Sequence, residues 1–277
     1  MIIDAHQHFW DPARGDYGWL TPDLPIHRVY GPEEMRPLLQ KAGVDGTILV
    51  QAAPTMAETD YMLAIARRAP FVLGVVGWID LAAADAPDQV RARAREPLFA
   101  GVRPMLQDIA EPDWILRPEL APALAAIAAQ GLVFDALILS HQIGVITELA
   151  ERHPELSIVL DHGAKPRLGN APAIALWRNE MQKLAARPNV CCKLSGLLTE
   201  LPPDAGQNDV KHAIDVLLDL FGPRRLLWGS DWPVLTLAGG YQEWFTLARD
   251  AIPSKARTAV FGGNAARIYR PAVCTRC

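Results

Sequence analysis

Cysteine is scarce, with four residues in 277. Cys191 and Cys192 are adjacent inside an apolar run, while Cys274 and Cys277 form a C-x-x-C in the last four positions. Neither pair builds a disulfide framework. The terminal pair lacks both the second ligand pair of a zinc site and the helix that follows a redox motif, so it is read as a frayed tail without function. Clusters of basic residues are missing too. Twenty-seven Lys and Arg stand against 31 Asp and Glu, a net charge of −4, which leaves no phosphate-neutralising footprint and excludes nucleic acid as an expected partner. Long apolar runs are also missing. The stretch 120–139 is interrupted by Pro122, Gln130, Gly131 and Asp135, and the opening MIIDAHQHFW has no cationic leader region, so neither membrane insertion nor export is expected and the cytoplasm is the predicted location.

Half of the residues are hydrophobic and 21% are charged, enough apolar surface for a packed core. The length suits one large domain over 1–277. Short apolar runs recur at 2–9, 47–51, 71–79, 99–105, 132–139, 157–160, 190–194 and 226–228, and they read as eight strands. Segments with helical spacing separate them, at 32–42, 59–69, 118–130, 144–153, 173–186 and 209–221. Continuous apolar strands alternating with helices imply parallel βαβ units buried on both faces. No G-x-G-x-x-G or G-x-x-x-x-G-K-[ST] loop follows any of them, which argues against an open nucleotide-binding sheet. The predicted fold is α/β, a single (β/α)8 TIM barrel.

Three strand ends carry candidate chemistry. Asp4, His6 and His8 alternate along the first strand, and alternation predicts that all three project to one face, inside the barrel. Two converging imidazoles are a metal platform or a pair of donors to a developing oxyanion. The eighth strand runs into Asp231, at the end of the strand where barrel active sites form, and the sixth runs into His162. Arg103, His141 and Lys193 stand in the segments where strands four, five and seven end and are candidate substrate-binding residues at the mouth. Trp10, Trp78 and Trp232 also follow strands. Trp10 and Trp232 are read as faces for a sugar ring, and Trp78 as packing.

DAHQHFWD at 4–11, GVRPML at 101–106, DHGAKP at 161–166, KLSGL at 193–197 and WGSDWP at 228–233 resemble the amidohydrolase superfamily. The likeness is to its amidohydrolase-related branch of sugar-acid lactonases, which includes hydrolases of L-fuconolactone and L-rhamnonolactone. The resemblance implies lactone hydrolysis at His6, His8, His162 and Asp231. Asp231 would activate water, and His6, His8 and His162, or a single metal on His6, His8 and Asp231, would polarise the carbonyl. Binuclear relatives bridge two metals through a carbamylated lysine on strand four. Arg103 stands there and cannot form that bridge. One zinc or manganese ion is therefore the largest expected complement, and it is dispensable in some lactonases of this branch, such as that acting on 2-pyrone-4,6-dicarboxylate. That lactonase activity and a superfamily decarboxylase or hydratase are the alternatives. A non-catalytic binding barrel is disfavoured because all four candidate groups are retained. The partner expected is a small molecule, and self-association into a homo-oligomer is left open.

Overall fold

The computed structural model describes residues 1–270, so Cys274 and Cys277 lie outside the described residues. Eight strands are present: β1 (Ile3–Gln7), β2 (Gly46–Val50), β3 (Val72–Gly77), β4 (Phe99–Val102), β5 (Val133–Ala136), β6 (Ser157–Leu160), β7 (Val190–Leu194) and β8 (Leu226–Trp228). Each pairs in parallel with the next. The circle is drawn together just past β8, where Asp231 N donates to His6 O and His8 N donates to Trp232 O, both at 2.8 Å. The predicted (β/α)8 barrel is the observed fold.

Between the strands run α1 (Pro32–Ala42), α2 (Met56–Ala66), α3 (Ala86–Arg93), α4 (Ala121–Ala129), α5 (Ile143–Arg152), α6 (Ala171–Ala185), α7 (Gln207–Phe221) and α8 (Tyr241–Ala251). Local chemistry sets their ends. Pro32 opens α1, the Glu34 carboxylate accepts from Gly31 N at 3.1 Å, and Gly43 closes the helix in the left-handed conformation. Helix α2 begins three residues before the apolar periodicity does, because Thr55 Oγ1 accepts from Glu58 N and caps it there. Helices α3 and α8 were not among the segments singled out by spacing. No helix among the described residues is long and apolar enough to cross a membrane.

The apolar core has two layers. A large outer layer fills the space between strands and helices. A smaller inner plug of Ile3, Ala5, Ile48, Val50, Leu73, Val76, Val133 and Val159 fills the barrel and is backed by Ala265, Ile268 and Tyr269 of the short helix Asn264–Tyr269.

One register detail corrects the sequence reading. Asp4 pairs with Thr47 but Gln7 pairs with Leu49, so β1 carries one extra residue between them. Such a bulge reverses the alternation beyond it. Ile3 and Ala5 therefore join the inner plug, and His6 and His8 still turn inward above them. Asp4 takes the other face. Its carboxylate accepts from Ser230 N at 2.8 Å and from the Tyr241 hydroxyl at 3.0 Å, which ties β1 to the β8 end and to α8.

Candidate active site

Above the inner plug the barrel interior becomes ionic. Asp135 of β5, Lys193 of β7, Asp161 just past β6, Arg103 just past β4 and His6 of β1 are all buried there. The Lys193 ammonium donates to Asp135 Oδ2, which also accepts from the Tyr269 hydroxyl, and it lies 2.9 Å from Asp161 Oδ1. Arg103 Nη1 donates to Asp161 Oδ2 at 3.0 Å. Paired charges of this kind are tolerable in an interior only because each has a partner.

On this ionic layer sit the four residues expected to carry chemistry. His6 Nε2 is 3.1 Å from His8 Nε2 and 3.5 Å from Asp231 Oδ1, His8 Nε2 is 3.2 Å from the same oxygen, and His162 Nε2 is 4.0 Å from it. His8 and Asp231 are 223 positions apart in sequence. Burial drives the His6 imidazole well below its ordinary pKa, with Asp161 opposing and Lys193 adding to the effect. Burial also lowers His162, to about 4, against the pull of Asp231 and Asp161. For Asp231 burial works toward the neutral acid, but His162, His8 and His6 outweigh it and hold the carboxyl below the usual carboxylate range. Near neutral pH the cluster is thus a carboxylate among neutral histidines at positions 6 and 162.

Two backbone features aim these side chains. His162, Gly163, Ala164 and Lys165 have φ of 53, 57, 60 and 49°, four consecutive left-handed residues, and Asp231 has φ 60°. Left-handed backbone costs an L-residue roughly 1–2 kcal/mol, so other contacts must hold it. Trp177 Nε1 donates to Gly163 O at 2.8 Å, and the Ser140 hydroxyl lies 2.8 Å from both Ala164 O and Lys165 O. The His162 ring itself is fixed by Ser195 Oγ, 2.9 Å from its Nδ1.

A cavity of about 190 Å³ opens over the cluster. His8, His162, Asp231 and Arg103 line it, together with Trp19, Met105, Leu137, Lys165 and Val234. Arg103 lines this cavity, whereas Lys193, His141, Trp10 and Trp232 do not. Lys193 is fully buried beneath His6, because its position in β7 points into the ionic layer below the mouth. His141 lines a neighbouring cavity of about 670 Å³, which Lys165 also borders. Trp10 and Trp232 are buried and meet Tyr30 edge to face at 5.5 and 5.2 Å. Trp78 does not line it either. The tryptophan that does is Trp19, whose Nε1 donates to Ala52 O at 2.7 Å and whose ring meets Trp10 edge to face. It sits in the long loop after β1, away from any strand end, so only its place in a Gly- and Pro-punctuated loop signalled it.

The donor set fits one divalent cation. Zinc with bonds of about 2.0–2.1 Å keeps tetrahedral ligands roughly 3.3 Å apart, and His6, His8 and Asp231 present ligand atoms 3.1, 3.2 and 3.5 Å from one another. His8 Nδ1 is 2.8 Å from Val50 O. A carbonyl only accepts, so Nδ1 carries the hydrogen and a neutral His8 turns the lone pair of Nε2 toward its neighbours. A second group, His6, Asp161 and His162, shares His6 with the first, and its Asp161 is already taken by Arg103 and Lys193. Metal analysis after zinc supplementation and dialysis is therefore expected to give no more than one equivalent per chain, and two retained equivalents would refute this.

Three imidazoles and a carboxylate gathered at the C-terminal mouth of a parallel barrel define a barrel hydrolase centre. Residues 3–270 match the family model described as Amidohydrolase, and the chain belongs to that family. It is similar to an L-fucono-1,5-lactonase of Burkholderia ambifaria, with 45% identity over 97% of this chain and 95% of that protein. It is also similar to an L-fucono-1,5-lactonase of Burkholderia multivorans, with 36% identity over 97% and 96%. Among solved structures, an amidohydrolase from Burkholderia multivorans with bound zinc superimposes with a TM-score of 0.93. The identity is 35%, covering 98% of this chain and 99% of that one.

Proposed function

We propose that this protein is a lactonase that opens sugar-acid lactones to the free acids, with L-fucono-1,5-lactone as the first substrate to test. The full-length similarity to the lactonase from Burkholderia ambifaria carries this reading. The cluster supports it, because a cyclic ester needs an activated water, stabilisation of a tetrahedral oxyanion and a proton for the departing ring oxygen.

Asp231 takes a proton as water oxygen bonds to the lactone carbonyl carbon. His162 polarises that carbonyl, with His6 and His8 beside it. As the ring carbon–oxygen bond breaks, Asp231 returns its proton to the ring oxygen and the product is a hydroxy acid. Arg103 and Lys165 attract the polar substituents of the substrate. A zinc or manganese ion held by His6, His8 and Asp231 would supply Lewis acidity and a water of lowered pKa.

Each ring opening releases a carboxylic acid, so purified protein is expected to acidify weakly buffered solutions of five- and six-carbon aldonolactones. A pH indicator over a stereochemical panel measures this. Inactivity on the whole panel, with activity on an amide or an amine instead, would overturn the reading.

Trp19 provides the apolar face for the sugar ring. Trp19→Ala is expected to raise KM by up to about tenfold, the equivalent of roughly 1–1.5 kcal/mol of lost stacking, with kcat changed by no more than about threefold. Steady-state kinetics on the best lactone checks it, and an unchanged KM would remove Trp19 from the binding face.

A further inference from the structure

Glu58 is fully buried, yet its hydrogen-bond partners are backbone amides rather than a cation. A carboxylate in an interior is costly unless its acceptor oxygens are used. Glu58 stands at the third position of α2, where a glutamate ordinarily reaches back to the backbone N–H of the cap. That N–H, on Thr55, already donates to Ala53 O at 2.9 Å. Glu58 reaches past it to the segment that follows β2. Ala53 N donates to its Oε2 at 2.7 Å, and Ala52 N lies 3.0 and 3.1 Å from its two oxygens.

The peptide between Ala52 and Ala53 is held from both sides. Its N–H, on Ala53, donates to Glu58, and its C=O, on Ala52, accepts from Trp19 Nε1 at 2.7 Å. A trans peptide is a rigid plane whose N–H and C=O point in opposite directions. Fixing the N–H therefore fixes the direction in which the carbonyl meets the indole. Bonding that N–H to a carboxylate also makes the carbonyl of the same amide a stronger acceptor. The loop that carries Trp19 is tied to this place a second time, because Thr55 Oγ1 donates to Asp16 Oδ2 at 3.0 Å. Ala52 and Trp19 line the cavity over the cluster, and Glu58 does not.

We infer that Glu58 is a positioning residue for substrate binding, which fixes the peptide between Ala52 and Ala53 and through it the station of the Trp19 indole over the cavity. It acts on KM and not on the chemical step, since none of its contacts reaches His6, His8, His162 or Asp231. A glutamate that merely braced the start of α2 would alter stability and leave substrate binding alone.

This inference rests on the reading of Trp19 as the face for the substrate ring, and one arm of its test needs no substrate, so its failure and the failure of the lactonase reading are distinguishable. Glu58→Met keeps the length of the side chain and removes both acceptors. The Trp19 indole N–H, assigned by its loss in Trp19→Ala, is expected to exchange with solvent at least about tenfold faster in Glu58→Met than in wild type. The indole N–H groups of Trp177 and Trp244, bonded to Gly163 O and Gly229 O, should keep their rates. On the best lactone, Glu58→Met is expected to raise KM about three- to tenfold with kcat within about threefold, and to change KM by less than about twofold in a Trp19→Ala background. Unchanged Trp19 exchange in a folded variant, or a KM effect that persists without Trp19, overturns the inference. If no lactone is turned over, the exchange rate alone decides. If Glu58→Met does not fold, Glu58→Gln, which keeps the shape and one acceptor oxygen, is judged by the same signs, faster Trp19 exchange and a KM effect that vanishes with Trp19.

Discussion

Asp231→Asn is expected to lower kcat by about 10²- to 10⁴-fold, the usual cost of removing a general base, with the fold intact. The amide matches the carboxylate in shape, so the left-handed backbone at Asp231 and the bond from Asp231 N to His6 O need not change. Asparagine also tolerates that conformation well. Basicity is what disappears, along with the negative charge that faces His8, His6 and His162 at 3.2, 3.5 and 4.0 Å. A residue serving only to shape the turn after β8 would behave differently, costing on the order of 1 kcal/mol of stability and sparing the rate. Single-turnover and steady-state rates on the best lactone, with thermal unfolding as the folding control, separate the two. A well-folded variant within a few-fold of wild type would refute the role of Asp231 as base.

Gly196→Ala is expected to reduce kcat/KM by at least about 10²-fold, as misplacement of a reacting group by about 1 Å does, although Gly196 itself carries no functional group. A Cβ on Gly196 would lie 2.5 Å from Nδ1 and 2.7 Å from Cγ of His162, closer than atoms can approach. The imidazole cannot absorb this by turning, because Ser195 holds its Nδ1 at 2.9 Å and Trp177 holds the strained turn behind it. It must leave its station beside Asp231. Stability is expected to fall by about 1–3 kcal/mol, as for other overpacked sites. Gly43→Ala is the control. Gly43 has nearly the same φ, 69° against 64°, but its added Cβ would meet nothing within 4 Å. That variant should lose a little stability through the backbone alone and keep its activity. Equal activity in the Gly196 variant and wild type would show that the packing of residue 196 does not set the position of His162.

Much of the architecture was legible from sequence because each element reports on itself. Strands 157–160, 190–194 and 226–228 and helix 32–42 have their observed limits, since apolar runs and caps are local signals. The gathering of His6, His8, His162 and Asp231 was legible for a related reason. In a closed parallel barrel the ends of all strands meet at one rim, so residues just past a strand converge however far apart they are in the chain. The expectations that failed concern direction. A one-residue bulge in β1 sent Asp4 away from the cluster, and neither composition nor alternation announces a bulge. Lys193 lies near the end of β7 and Arg103 just past β4, yet Lys193 is buried under His6 and Arg103 lines the cavity.

The eightfold βα order, the parallel barrel and the four polar residues at its rim follow from periodicity and strand-end position, which are properties of short segments. Which tryptophan faces the cavity and which lysine is buried follow from tertiary packing. Those outcomes depend on the height of each side chain above the inner plug, and on which charges from other strands stand at that height.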